Sequence, residues 1–197
     1  MKSNPATLPS ERMKALFEHF ADQWGEPEHL IWFDPEDTNV PGSLEKLHVG
    51  VWPAADDCEV NAFVTFGMSD LKMPGDVPYA ELQFAVRGQL TTEELHEGAR
   101  FLANLAEFPF HNRTGLDWWR RISQAGEVPF FPQSSGILFR PPFSEDDCAE
   151  FTRGDDVIRF LFVVPMTPEE NALLEEQGID AYEEYMINNQ LDPLGHR

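Results

Sequence analysis

The sequence of 197 residues predicts an α+β fold: a single domain in which a mostly antiparallel or mixed central sheet is flanked by helices. Three observations point there. Apolar side chains alternate with period two over 58–66 and again over 80–86, the pattern of strands with one buried face. They recur at helical spacing over 13–24 and 95–106. An almost unbroken apolar run at 157–164, interrupted only by Arg159, suits a central strand covered on both faces. At 42% apolar residues, with 16 Phe, 5 Trp and 3 Tyr, the chain has ample material for a core.

In chain order, Met13, Leu16, Phe17, Phe20 and Trp24 share one face of a first helix that Gly25 closes. Leu30 to Phe33 is short and wholly apolar, and Asp34-Pro35-Glu36-Asp37 reads as a turn. Leu47, Val49 and Val51 alternate with His48, Gly50 and Trp52 in a strand ending at Pro53. The strand at 58–66 follows, then a loop at 67–78 with two glycines and two prolines, then the strand at 80–86. Thr91 and Glu94 form a capping box for a helix striped by Leu95, Ala99, Leu102 and Ala106 and stopping near Pro109. The stretch 110–142 is irregular, with a short strand at 137–139; a segment that long is either packed by its aromatics or functional. Thr167, Pro168 and Glu170 start a helix that Gly178 ends, and a last helix carries Ile179, Tyr182, Tyr185 and Met186. The first helix, within 1–29, is expected to belong to the same domain as 30–197.

Fourteen Lys and Arg oppose 35 Asp and Glu, a net charge of −21. Such a field repels phosphate backbones and anionic lipid, so neither nucleic acid nor membrane is the expected partner; a cationic protein is. The acidity is concentrated. Between 145 and 184 thirteen acidic side chains face two basic ones, a net of −11, whereas 100–121 carries a net of +2. No apolar run approaches the roughly 18 residues of a membrane span. The first five residues carry one charge with no apolar stretch behind them, so a secretory leader is not expected. Cys58 and Cys148 lie ninety residues apart outside any CxxC pattern, which fits reduced thiols in a cytoplasmic protein; the free chain is expected to be a monomer.

Catalytic signatures are sparse: the sequence has no GxSxG, glycine-rich phosphate loop, GxGxxG or HExxH pattern. Ser69-Asp70 has no histidine nearby in sequence and reads as a turn whose side chains bond their own backbone. The histidines show no ligand spacing, and Asp34, Glu36 and Asp37 do not fit a calcium loop, so neither metal nor cofactor is expected. Trp118-Trp119 precedes Arg120-Arg121. Adjacent side chains cannot share one face, so one tryptophan meets solvent or a neighbouring segment; it is either a partner anchor or a ring packed on the core with Arg120 or Arg121 stacked on it.

Several segments together resemble the suppressor-of-fused-like family: FVTFGMSD at 63–70, YAELQFAV at 79–86, ARFLANLAEFPF at 99–110, GILFRPP at 136–142 and the run from Ile158 to Met186. The resemblance covers residue 30 to the end and rests on the order and spacing of the segments. It implies a domain without catalytic activity. Larger animal members restrain transcription factors of Hedgehog signalling by clamping a peptide between two domains; this chain has room for one, like the compact bacterial members inferred to be immunity proteins against polymorphic toxins. The expectation is therefore a cytoplasmic protein that neutralises a basic toxin domain through an acidic surface. The candidate contacts are Asp56, Asp57, Asp70, Glu145, Asp146, Asp147, Glu150, Asp155 and Asp156, with Trp118 or Trp119 as anchor. Phe66, Gly67, Ser69 and Asp70 are expected to set a structural turn. A small enzyme using carboxylates and a stand-alone adaptor are the alternatives.

Overall fold

A computed structural model describes residues 9–33, 44, 46–55, 58–143 and 148–195. It holds four helices, α1 (Glu11–Trp24), α2 (Thr92–His111), α3 (Pro168–Gln177) and α4 (Ile179–Asn188). The strands are β1 (His29–Phe33), β2 (Leu47–Trp52), β3 (Val60–Phe66), β4 (Tyr79–Arg87), β5 (Arg121–Ile122), β6 (Gly136–Arg140), β7 (Glu150–Arg153) and β8 (Asp156–Met166). They form one eight-stranded mixed sheet in the order β1-β2-β3-β4-β8-β6-β5, with β7 paired to the start of β8. Strands β4 and β8 are parallel, with Glu81 opposite Phe160, and the other pairings are antiparallel.

Period two sorts the strand residues onto two faces, each covered by helices. One face sends Val49, Val51, Phe63, Leu82, Phe84, Leu161 and Val163 against Leu95, Ala99, Leu102 and Ala106 of α2. The other divides between two smaller cores. Val64, Phe66, Ile158 and Phe160 pack under Met13, Leu16 and Phe20 of α1. Leu138, Val164 and Met166 pack under Tyr182, with Leu174, Ile179 and Met186 around them. With both faces covered, β8 reads as a continuous apolar run.

Local signals hold where they are strongest. Both capping boxes are complete: Thr91 with Glu94, and Thr167 with Glu170. Other boundaries differ. The third strand begins at Val60, and Cys58 instead bridges to Ala55. Helix α2 passes through Pro109 to His111, because a proline in the last turn forfeits one hydrogen bond while keeping a helical φ. The turn closes with Asn112 N–H donating to the Phe108 carbonyl and Thr114 N–H to that of Pro109. The irregular stretch is packed: Leu116, Val128 and Phe131 are buried in the main core, and β5 pairs with β6.

Candidate functional site

Glu81 is the most unusual side chain in the sheet, a fully buried carboxylate on the α1 side of β4. Its Oε1 accepts from the Ser69 hydroxyl at 2.7 Å and from the Gly67 and Ser69 N–H groups at 3.0 Å. Its Oε2 accepts from the Thr65 hydroxyl at 2.7 Å and Met68 N–H at 3.3 Å. Burial pushes its pKa up to about 7, against the pull of these donors. The carboxylate thereby shapes Met68–Asp70 into a 3₁₀ turn entered through Gly67 at φ 115°. A Cβ at Gly67 would lie 2.6 Å from the Lys46 carbonyl oxygen, which leaves room only for glycine.

The same turn anchors α1. Arg12 donates to the Ser69 carbonyl and to Asp156, with its guanidinium 4.2 Å from the centre of the Tyr79 ring. Ser10 caps α1 by accepting from Met13 N–H, and its hydroxyl donates to Asp70 at 2.7 Å. Ser69 and Asp70 therefore do not bond their own backbone as the turn reading expects. Their partners lie twelve and sixty residues away, on β4 and at the start of α1.

The two tryptophans part to opposite sides. Trp118 packs beside the main core and donates from Nε1 to the Phe160 carbonyl at 3.1 Å. Arg159, not Arg120 or Arg121, covers its ring, 4.4 Å from the centre. That guanidinium also donates to Glu150 at 2.9 Å and Asp117 at 2.6 Å; burial lowers its pKa, but these two carboxylates hold it above its usual value. Arg120 instead reaches Thr114, and Arg121 reaches Asn171 and Glu175, because the backbone turns sharply through Trp119 at φ 65°. Trp119 is 39% exposed. Arg140 lies 5.5 Å from its ring centre and 3.9 Å from that of Phe143, which is 42% exposed. Arg140 is tied to α4 through Glu183 at 3.7 Å, and burial lowers its pKa.

Of the other expected contacts, Asp56, Asp57, Glu145, Asp146 and Asp147 lie outside the described residues. Glu150 and Asp156 are held by Arg159 and Arg12, while Asp155 is exposed at the β7–β8 turn. Exposed carboxylates also stand on α3 and α4, at Glu169, Glu175, Glu176, Asp180 and Glu184. Tyr185 and Ile187 stand exposed on the same helix as Glu184. Glu170 belongs to the acidic segment by sequence but is buried in its capping box. Phe143 carries no sequence signal and Arg140 only that of the segment GILFRPP; the fold alone brings them to Trp119. A cleft of about 580 Å³ opens on the opposite side between α2 and 127–134, lined by Arg100, Phe101, Asn104, Phe130 and Ser134 among others. Among the described residues, no three His, Cys, Asp or Glu side chains gather as a metal site, and no helix is long and apolar enough to cross a membrane.

A mixed sheet layered by helices on both faces, with an exposed aromatic cluster at Trp119 and Phe143, defines a single-sheet α+β domain. The chain belongs to the suppressor of fused family: the model for Suppressor of fused protein (SUFU) matches residues 43–194. The fold is similar to that of a SUFU homologue from Neisseria gonorrhoeae FA 1090, with a TM-score of 0.67 at 17% identity and 93% of each chain covered. It is similar to the Sufu–Fu complex, with a TM-score of 0.62 at 12% identity over 94% of this chain and 86% of the other. Drosophila Suppressor of Fused matches with a TM-score of 0.63 at 13% identity, covering 98% of this chain and 50% of that one. The chain thus spans about half of the Drosophila protein, and at these identities the likeness is one of fold. A comparison with curated proteins finds no match.

Proposed function

We propose that this chain is a non-catalytic protein-binding domain that acts as an immunity protein, capturing a basic toxin domain in the cytoplasm. The observation that carries the reading is the acidic α3–α4 surface beside an exposed aromatic cluster. Glu169, Glu176, Asp180 and Glu184 attract a cationic partner from a distance, which sets the rate of encounter. Trp119 and Phe143, stiffened by Arg140 between them, supply the apolar contact that slows release. Trp118, Glu150 and Asp156 serve the fold rather than this surface, and Phe66, Gly67, Ser69 and Asp70 form a structural turn beside α1. The SUFU fold in a complex with Fu is a precedent for protein binding by this architecture.

The test is co-expression with the product of the neighbouring open reading frame. The expected result is that the chain relieves growth arrest and forms a stable complex with that product, weakened by Trp119→Ala. Growth arrest that the chain does not relieve would overturn the immunity reading, and turnover by the purified chain would overturn the non-catalytic one.

A further inference from the structure

The cleft of about 580 Å³ between α2 and residues 127–134 falls within the size range of small-molecule sites, about 300–1,000 Å³. One wall is a stripe of α2: Glu97, Arg100, Phe101 and Asn104 recur at i, i+3, i+4 and i+7, distinct from the Leu95, Ala99, Leu102 and Ala106 stripe that packs on the sheet. The other wall is fixed by successive turns. Phe131 N–H donates to the Val128 carbonyl at 3.1 Å, and Ser134 N–H donates to the Phe131 carbonyl at 2.9 Å. The Phe131 ring is fully buried, 6.0 Å from the centre of Phe84, and pins the segment to the core.

Phe130 adopts a φ of 70°, a left-handed backbone that aromatic residues seldom take. Its ring lies against α2 at Gly98, where a Cβ would stand 2.8 Å from the Phe63 ring and 3.3 Å from the Phe130 ring. Across the cleft, the Phe101 ring is held 5.3 Å from that of Phe84. Both aromatic walls are therefore formed before any ligand arrives, which lowers the ordering cost of binding.

The polar groups in the cleft lack partners. Ser134 is only 6% exposed, and its Oγ makes no hydrogen bond among the described residues. A buried hydroxyl left in that state costs stability, and native proteins keep few. Glu97, Arg100, Asn104 and Glu127 are exposed and also unpartnered among the described residues. Arg100 and Glu97 stand three apart on the helix, as Lys14 and Glu11 do on α1, yet only the latter two form an ion pair. Charges of both signs thus line one cleft without pairing.

This balance selects the ligand. A phosphate would meet two carboxylates for one guanidinium, a simple amine would leave Arg100 unmatched, and an apolar molecule would leave the Ser134 hydroxyl orphaned. We propose that the cleft binds a free aromatic α-amino acid. Arg100 and the Ser134 hydroxyl hold the carboxylate, Glu97 and Glu127 attract the ammonium group, and Phe101 and Phe130 receive the ring. The site lies on the α2 side of the sheet, apart from α3 and α4, and does not depend on the immunity reading.

The probe is L-phenylalanine, titrated calorimetrically into the full chain and followed by amide resonances. One saturable site is expected, with shifts concentrated in residues 97–104 and 127–134. Phenylpropionate lacks the ammonium group, phenethylamine the carboxylate and L-alanine the ring, and each should bind about ten-fold or more weaker. Arg100→Gln should weaken phenylalanine binding by about ten-fold with the unfolding midpoint unchanged, because that guanidinium bonds nothing in the fold. Ser134→Ala should weaken it by about three-fold or more while keeping or raising the midpoint, since it removes an orphaned hydroxyl. No saturable binding of phenylalanine, equal or tighter binding of phenylpropionate or phenethylamine, or shifts outside the two segments would overturn the proposal. So would unaltered binding by Arg100→Gln, or a Ser134→Ala variant that loses stability but binds as wild type.

Discussion

Glu81 faces two opposing demands. Five donors converge on its oxygens and favour the charged form, while complete burial favours the neutral one, and burial prevails in raising its pKa to about 7. Its folded pKa thus stands above the ordinary value near 4.5. Folding is favoured by protonation, so this contribution is complete below about pH 4.5 and is lost as pH rises through about 7. Between pH 5 and 8 the wild-type protein should lose about 2–3 kcal/mol relative to Glu81→Gln, which cannot titrate. Urea unfolding of both proteins across that range checks it, and parallel curves would refute the coupling. Gly67→Ala tests the other half of the turn. Its Cβ would strike the Lys46 carbonyl at a φ that disfavours side chains, so a loss of about 1–3 kcal/mol is expected in the same assay.

Helix starts carry their instructions within four residues, and for that reason they were legible. Thr167-Pro168-Glu169-Glu170 specifies the start of α3 without help from the rest of the chain, and the complete capping box makes Thr167→Ala a loss of about 1 kcal/mol. By calorimetry that is a fall of about 2–4 °C in melting temperature for a chain of this size. The strands at 47–52, 60–66 and 79–87 were legible too, through their alternation. Illegible were the elements that exist by virtue of a distant partner. Strand β7 has mostly exposed residues and is held by β8, and β5 is two residues long. Glu81 falls in the polar phase of its strand, which suggests a solvated side chain; α1, more than fifty residues earlier, covers that face and buries it. The rings of Trp118 and Trp119 likewise chose Arg159 and Arg140 over the adjacent Arg120 and Arg121, because the fold places those guanidinium groups over them.

A net charge of −21 stores repulsion in the folded chain, most of all where carboxylates crowd without cations between them. The segment 145–184 is not uniform in this respect. Glu150, Asp156, Glu175 and Glu183 each meet an arginine, and their charge is partly neutralised within the molecule. Glu176, Asp180 and Glu184 stand exposed along α3 and α4 and have no ion-pair partner among the described residues. If that acidity serves a partner, it is retained at some cost in stability, and the two properties should separate on mutation. The triple variant E176K/D180K/E184K is expected to fold with equal or greater stability, by up to about 1 kcal/mol, because it relieves repulsion at exposed sites. Its association with a basic partner should nonetheless slow by about ten-fold or more in low salt. Both differences should shrink near 1 M salt, where the screening length falls to about 3 Å. Stopped-flow association and urea unfolding, each at low and high salt, measure the two. An on-rate equal to wild type at low salt would assign this surface to solubility alone and move the steering charge to another part of the molecule.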